Sequence, residues 1–205
     1  MPIRAVVLDI GGVLEVIDDE VFPGDTERRL GLPPGGFSAA LAAAAPLAGD
    51  PMLGEVTEAG VRRHWRDSLG VDDDEADRMM ADFWRWYAGT LDRQLFDWFA
   101  SQRPERLTGI LSNSAPGARE AERHHGFEQV TDDLVYSHEV GLTKPDPRIY
   151  TLTARRLGVA PAEIAFLDDV EANVSAARRA GWHAVLHRDT PSSIAALEAL
   201  IADLG

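Results

Sequence analysis

Arg4-Ala5-Val6-Val7-Leu8-Asp9-Ile10-Gly11-Gly12-Val13-Leu14 is the stretch whose reading decides the fold. Ala5 to Leu8 is continuously apolar and rich in valine. That is the pattern of a strand covered on both faces, as at the centre of a parallel sheet. The run ends in a carboxylate. A charged group does not stay unpaired inside a sheet, so Asp9 is expected where the strand emerges. In open α/β sheets the crevice beyond the strands' carboxyl ends is where ligands bind. Gly11 and Gly12 let the backbone turn sharply there and pass close to a ligand.

The same alternation of strand and helix returns much later in the chain. Leu107 to Leu111 reads as a strand ending at Ser112-Asn113-Ser114, and a helix follows from about Pro116 to His125. Leu134 to Ser137 is a short strand, followed by a loop from His138 to Thr143. Asp146 and Pro147 have the form of an N-cap and N1 proline for a helix to Leu157. Ile164 to Leu167 is a strand ending at Asp168-Asp169, with a helix from Glu171 to Gly181. His183 to Leu186 is the last strand, and Pro191 opens the last helix. Strands alternating with helices imply a parallel, Rossmann-like α/β sheet with right-handed crossovers.

The intervening text is different. Glu15 to Asp19 and Pro23-Gly24 read as loop, and from Asp25 to Gln102 the pattern is helical, with no convincing strand. Thr57 is a candidate N-cap for a helix to Ser68, and Asp72 to Glu75 place acids at the start of a helix to Ala88. Leu91, Leu95, Trp98 and Phe99 recur at helical spacing. Trp65, Trp84, Trp86 and Trp98 are expected to form the core of this bundle. Residues 1–15 and 101–205 are therefore read as an α/β core domain, and 16–100 as an inserted α-helical cap.

Composition narrows the partners. The chain has 205 residues, a formal charge of −14 and no cysteine, which excludes disulfides and thiolate chemistry. That charge argues against nucleic acid, whose phosphates need a basic face. No apolar run approaches a membrane span, and no basic and apolar leader precedes the first strand, so a cytoplasmic location is expected. Of 20 basic residues only Lys144 is lysine. Whatever bias favours arginine elsewhere did not act there, where a compact ammonium on a slim stem has its own use.

Four polar groups fall at or just beyond strand ends: Asp9, Ser112-Asn113, Lys144 and Asp168-Asp169. A parallel sheet gathers such ends along one edge. Carboxylate oxygens suit Mg²⁺, which needs few protein ligands and keeps waters and substrate oxygens. A lysine and a hydroxyl suit phosphate oxygens. An aspartate held beside both stays ionised and can attack phosphorus.

These four segments together resemble the haloacid dehalogenase (HAD) superfamily over the whole chain. Leu8-Asp9-Ile10-Gly11-Gly12-Val13-Leu14 is similar to its first motif, Leu111-Ser112-Asn113 to its second, Gly141-Leu142-Thr143-Lys144-Pro145-Asp146 to its third, and Phe166-Leu167-Asp168-Asp169 to its fourth. The insertion after the first motif resembles the family's helical cap. The resemblance implies an Mg²⁺-dependent phosphatase acting on a small phosphorylated metabolite such as a sugar phosphate, as a monomer or homodimer. It makes Asp9 the nucleophile, and has Ser112 and Lys144 hold the phosphoryl group with Asn113 nearby. It assigns the metal to Asp9, the Gly11 carbonyl, Asp169 and the adjacent Asp168.

One position departs from the pattern. The family's phosphatases usually carry a second aspartate, the general acid and base, where this chain has Gly11. Such a group typically contributes about 10²–10⁴-fold, although similar phosphatases acting on sugar 1-phosphates share the glycine. Glu15 is one candidate replacement; as a hinge residue it is an ordinary polar side chain. Two other functions remain open. A 2-haloacid dehalogenase would use Asp9 without metal, but such enzymes lack the acid pair of the fourth motif. A phosphate-binding regulatory protein would keep the site with little turnover.

Overall fold

The computed structural model describes residues 1–18 and 22–204, so Asp19 of the expected loop lies outside the described residues. The strands are β1 (Ala5–Leu8), β2 (Glu15–Val16), β3 (Thr90–Leu91), β4 (Leu107–Ser112), β5 (Asp133–Tyr136), β6 (Ile164–Asp168) and β7 (His183–Leu186). The α-helices are α1 (Gly24–Leu30), α2 (Gly36–Ala43), α3 (Glu58–Leu69), α4 (Asp73–Ala88), α5 (Arg93–Ser101), α6 (Ala118–Glu122), α7 (Phe127–Val130), α8 (Ser137–Val140), α9 (Pro147–Leu157), α10 (Glu171–Arg179) and α11 (Thr190–Leu204).

Five strands form one parallel sheet in the order β5-β4-β1-β6-β7. The apolar run of β1 is its central strand, in register with β4 from Ala5–Leu107 and with β6 from Ala5–Ile164. All four β1 side chains are buried, and they alternate between two cores. Val6 and Leu8 face α5 and α11 through Leu95, Phe99 and Leu197. Ala5 and Val7 face α9 and α10 through Ile149, Tyr150, Val174 and Ala177. Burying a valine or leucine side chain contributes about 1.5–3 kcal/mol. A continuous apolar strand is therefore stable only with helices on both faces, the arrangement seen.

The inserted helices carry a core of their own: Phe22, Phe37, Trp65, Met79 and Met80. Phe22 stacks on Trp65 with ring centroids 5.7 Å apart, and Phe37 meets Trp65 edge-on at 5.2 Å. The expected caps form: Thr57 accepts from the Gly60 N–H, Asp72 from the Glu75 N–H, and Asp146 from the Arg148 N–H. Among the tryptophans, Trp98 belongs elsewhere. It lies on α5, packs against the sheet's core cluster, and donates its indole N–H to Glu198. Leu95, Phe96 and Phe99 of the same helix are buried in that cluster.

Three local expectations need correction. Glu15–Val16 is a strand and not loop; it pairs antiparallel with Thr90–Leu91, a strand within the stretch read as wholly helical. The ribbon joins the start and the end of the segment between β1 and α5. Two-residue strands carry no periodicity, so nothing in the pattern announced them. The loop expected from His138 begins as the single turn α8, closed by Gly141 in the left-handed region at φ 66°.

Candidate active site

Most of the candidate side chains stand where a strand of the sheet ends. Asp9 follows β1, Ser112 closes β4, Asp168 closes β6, and Lys144 comes from the loop leading into α9. That loop is fastened to β4's end by a reciprocal pair. The Lys144 N–H donates to Asn113 Oδ1 at 2.8 Å, and Asn113 Nδ2 donates to the Lys144 carbonyl at 2.9 Å. The Asn113 amide thus holds Lys144 by its main chain, a use distinct from the substrate contact expected for it, although Asn113 also borders the cleft.

Lys144 Nζ lies 2.7 Å from Asp9 Oδ1 and 2.7 Å from Asp168 Oδ2. The lone lysine is therefore buried between two carboxylates. Burial pulls its ammonium down, but the charges of Asp9 and Asp168 outweigh that and leave its pKa above the ordinary lysine value. Asp168 is the hub of the arrangement. It also accepts from the Val170 N–H at 2.9 Å and from Asn173 Nδ2 at 3.0 and 3.2 Å. Asp9 Oδ1 additionally accepts from the Ile10 N–H at 2.8 Å, so both fixed contacts of Asp9 fall on that oxygen. Burial raises the Asp9 carboxyl above the usual carboxylate range, and Lys144 opposes the rise.

Carboxylate oxygens of Asp9, Asp168 and Asp169 all lie within 4.8 Å of one another. Three acids share this space with a single ammonium, which already contacts two of them. Desolvation, then the charge of Asp168, raises Asp169 as well. An oxygen-only, acid-rich donor set of this kind fits a hard divalent cation. The backbone makes room for the Asp169 carboxylate at Gly12, where φ is +74° and an added Cβ would stand 2.4 Å from Asp169 Oδ2. Gly12, not Gly11, is thus the glycine that the turn requires. A Cβ at Gly11 would meet only the Ile17 side chain, at 3.3 Å.

These groups open onto a cleft of about 410 Å³. Its far wall comes from the insertion: Ile17, Trp86 and Tyr87. Tyr87 lines the cleft together with Ser112. Neither aromatic was distinguishable in the sequence from the helical core, whose 3.6-residue spacing they share. Asn173 was also missed, because an asparagine inside a helix carries no signal until Asp168 is seen beside it. Glu15 is fully buried and is not among the residues lining the cleft. With Glu122 and Tyr136, which donates its hydroxyl to Glu122 at 2.6 Å, it belongs to the interior behind the site.

A family model for haloacid dehalogenase-like hydrolases matches residues 3–181. The "Phosphorylated carbohydrates phosphatase" of Thermotoga maritima is 35% identical over 81 residues, covering 38% of this chain and 38% of that protein. Rat "Bifunctional epoxide hydrolase 2" is 42% identical over 72 residues, 35% of this chain but only 13% of its own length. The matched part is thus a minor share of each of these relatives. Among solved structures, a HAD family enzyme of Bacteroides thetaiotaomicron in complex with magnesium and inorganic phosphate superposes with TM-score 0.74 at 22% identity, covering 91% of this chain and 94% of that one. A 2-haloacid dehalogenase of Pseudomonas syringae gives 0.69 at 17% identity, covering 99% and 100%. At such identities the likeness is one of fold. No helix among the described residues is long and apolar enough to cross a membrane.

Proposed function

Because the chain belongs to the haloacid dehalogenase-like hydrolases, we propose that it is an Mg²⁺-dependent phosphatase that hydrolyses a small phosphomonoester through Asp9. The observation that carries this reading is the acid cluster of Asp9, Asp168 and Asp169 around one lysine, which has more carboxylate than Lys144 can neutralise. Asp9, Asp169 and the Gly11 carbonyl, with Asp168 behind them, are the groups that would hold the ion. When bound, Mg²⁺ supplies charge neutralisation for the transferring phosphoryl group.

The chain's own residues do the rest. Oδ1 of Asp9 is held by Lys144 and the Ile10 N–H, which leaves Oδ2 to attack phosphorus. The bond from phosphorus to the alcohol oxygen breaks as the aspartyl-phosphate forms, and the leaving oxygen departs as its anion and takes a proton from water. Water then attacks the phosphorus, releasing phosphate and returning Asp9 as the carboxylate. The Lys144 ammonium and the Ser112 hydroxyl are the donors for the phosphoryl oxygens, and Asn113 and Asn173 keep Lys144 and Asp168 in place. With glycine at position 11 and Glu15 outside the cleft, Asp9 and Asp169 are the only carboxylic acids among the described residues lining it, and neither is spare. Esters whose leaving groups need little proton help, such as acyl phosphates, sugar 1-phosphates and aryl phosphates, are therefore favoured over simple alkyl phosphates.

Phosphate release from p-nitrophenyl phosphate and acetyl phosphate tests this directly. Release should stop on exhaustive chelation and return with added Mg²⁺. Phosphate release indifferent to chelation, or halide release from a 2-haloacid under chelation, overturns the reading.

A further inference from the structure

We infer that the substrate's leaving group is uncharged and presents a flat or apolar face, so that the site takes the monophosphate of a neutral alcohol or phenol and rejects esters with a second anionic group. This inference rests on the phosphatase reading and specifies its substrate class.

Among the described residues lining the cleft, Lys144 is the one basic side chain; no arginine or histidine borders it. That is unusual in a chain with 20 basic residues. Lys144 is, moreover, already in contact with Asp9 and Asp168, at 2.7 Å each. Three site carboxylates balance one ammonium and one divalent ion with nothing to spare. The phosphoryl group then brings its own negative charge. A second carboxylate or phosphate on the same substrate would enter a cleft in which every cation is engaged and Asp169 carries its charge at the surface.

The wall that the leaving group meets points the same way. It consists of Ile17, Trp86, Tyr87 and Val170. Trp86 is fixed by rings of the cap's own core, with centroids 5.8 Å from Phe22 and 5.7 Å from Phe83. Its indole N–H is buried without a partner, so Trp86 offers the cleft its ring and no donor. Tyr87 is seated against Phe83 at 5.7 Å and Trp84 at 5.3 Å, so its ring is held at the wall of the cleft. Val170 stands at the rim, 47% exposed. Aromatic faces suit a phenyl ring or the C–H face of a sugar; they give an extra anion no hydrogen bond.

A matched pair isolates the effect: 4-carbamoylphenyl phosphate and 4-carboxyphenyl phosphate. They share shape and an aryl leaving group, and differ by one charge. A like charge about 6 Å from Asp169 at an effective dielectric of about 20 corresponds to a discrimination of roughly a hundredfold before salt screening. The wild-type protein with Mg²⁺ should therefore favour the amide in kcat/KM by at least about tenfold at low salt. Val170→Arg, which adds a cation at the rim, should bring the ratio close to one, chiefly by lowering KM for the carboxylate. Equal use of the two esters by wild type, or preference for the carboxylate, overturns the inference while leaving the phosphatase reading intact. If p-nitrophenyl phosphate and acetyl phosphate are also left intact, the phosphatase reading fails and the inference with it; if they are turned over but neither matched ester is, calorimetric titration of both esters into the unmodified protein with Mg²⁺ decides: tighter binding of the amide supports the inference, and any other result overturns it.

Discussion

Replacing Glu15 with glutamine should make the protein more stable relative to wild type as pH rises. The Glu15 side chain is fully buried, and neither carboxyl oxygen has a hydrogen-bond partner. His125 Nε2 lies 3.3 Å away, but it is 2.8 Å from the Ala88 carbonyl and so directs its N–H there. Burial lowers the pKa of His125 itself, so at neutral pH it brings no charge. Burial, then Glu122, then Asp9, push the Glu15 carboxyl from 4.5 up to about 10. The folded protein thus keeps a proton that the unfolded chain releases above pH 4.5. Stability from this group is full below that pH and is lost as pH rises toward 10, at about 1.4 kcal/mol per pH unit. Glutamine has the same shape and no proton to lose, so that slope disappears. An amide left without a partner costs about 1–3 kcal/mol, but equally at every pH, so it shifts the curve without tilting it. Urea unfolding of both proteins at pH 6, 7 and 8 measures the tilt. The stability difference should move toward the variant by about 1.4 kcal/mol per unit, close to 3 kcal/mol over the range. Parallel stability curves would show that Glu15 is ionised in the folded protein and refute the argument.

Three further substitutions address the site. Asp9→Asn should abolish phosphate release while leaving the circular dichroism spectrum unchanged, since an amide is neither a nucleophile nor a good ligand for a hard cation. Gly12→Ala should weaken Mg²⁺ affinity by at least tenfold in a metal titration, because the new Cβ falls 2.4 Å from Asp169 Oδ2 at a φ of +74°. Lys144→Arg should lose about a hundredfold or more in kcat: a planar guanidinium does not fit a buried slot with carboxylates 2.7 Å away on two sides. Steady-state kinetics on an aryl phosphate check it.

Much of the architecture was legible because it is written in long, strongly patterned runs. Ala5–Leu8 reads as a strand covered on both faces, and the aspartate that follows it stands at the strand-end edge where the candidate site lies. The lone lysine likewise marked itself by composition, and it is the buried cation between Asp9 and Asp168. What escaped is what depends on contacts distant in sequence. The Glu15–Val16 and Thr90–Leu91 ribbon has no pattern short of its partner. Trp86 and Tyr87 occupy the last turn of a core helix, and only the position of that helix over the sheet turns them toward the cleft. Asn113 and Asn173 were invisible as positioning groups because an amide's role is set by what it meets: the Lys144 main chain in one case and the Asp168 carboxylate in the other. Glu15 offered the most instructive difference. A glutamate four residues past Gly11 looks available to the reaction, yet the chain turns it inward.

The central claim is that Asp9 accepts the phosphoryl group, and chemical trapping of the intermediate tests it most directly. Protein mixed with acetyl phosphate and Mg²⁺ is quenched with borohydride, which reduces an acyl phosphate to an alcohol, and the peptide containing Asp9 is sequenced by mass spectrometry. The account predicts homoserine at position 9 when Mg²⁺ is present, and unmodified aspartate in the chelated control. Turnover with no reduction at Asp9, or reduction at another carboxylate, would contradict it.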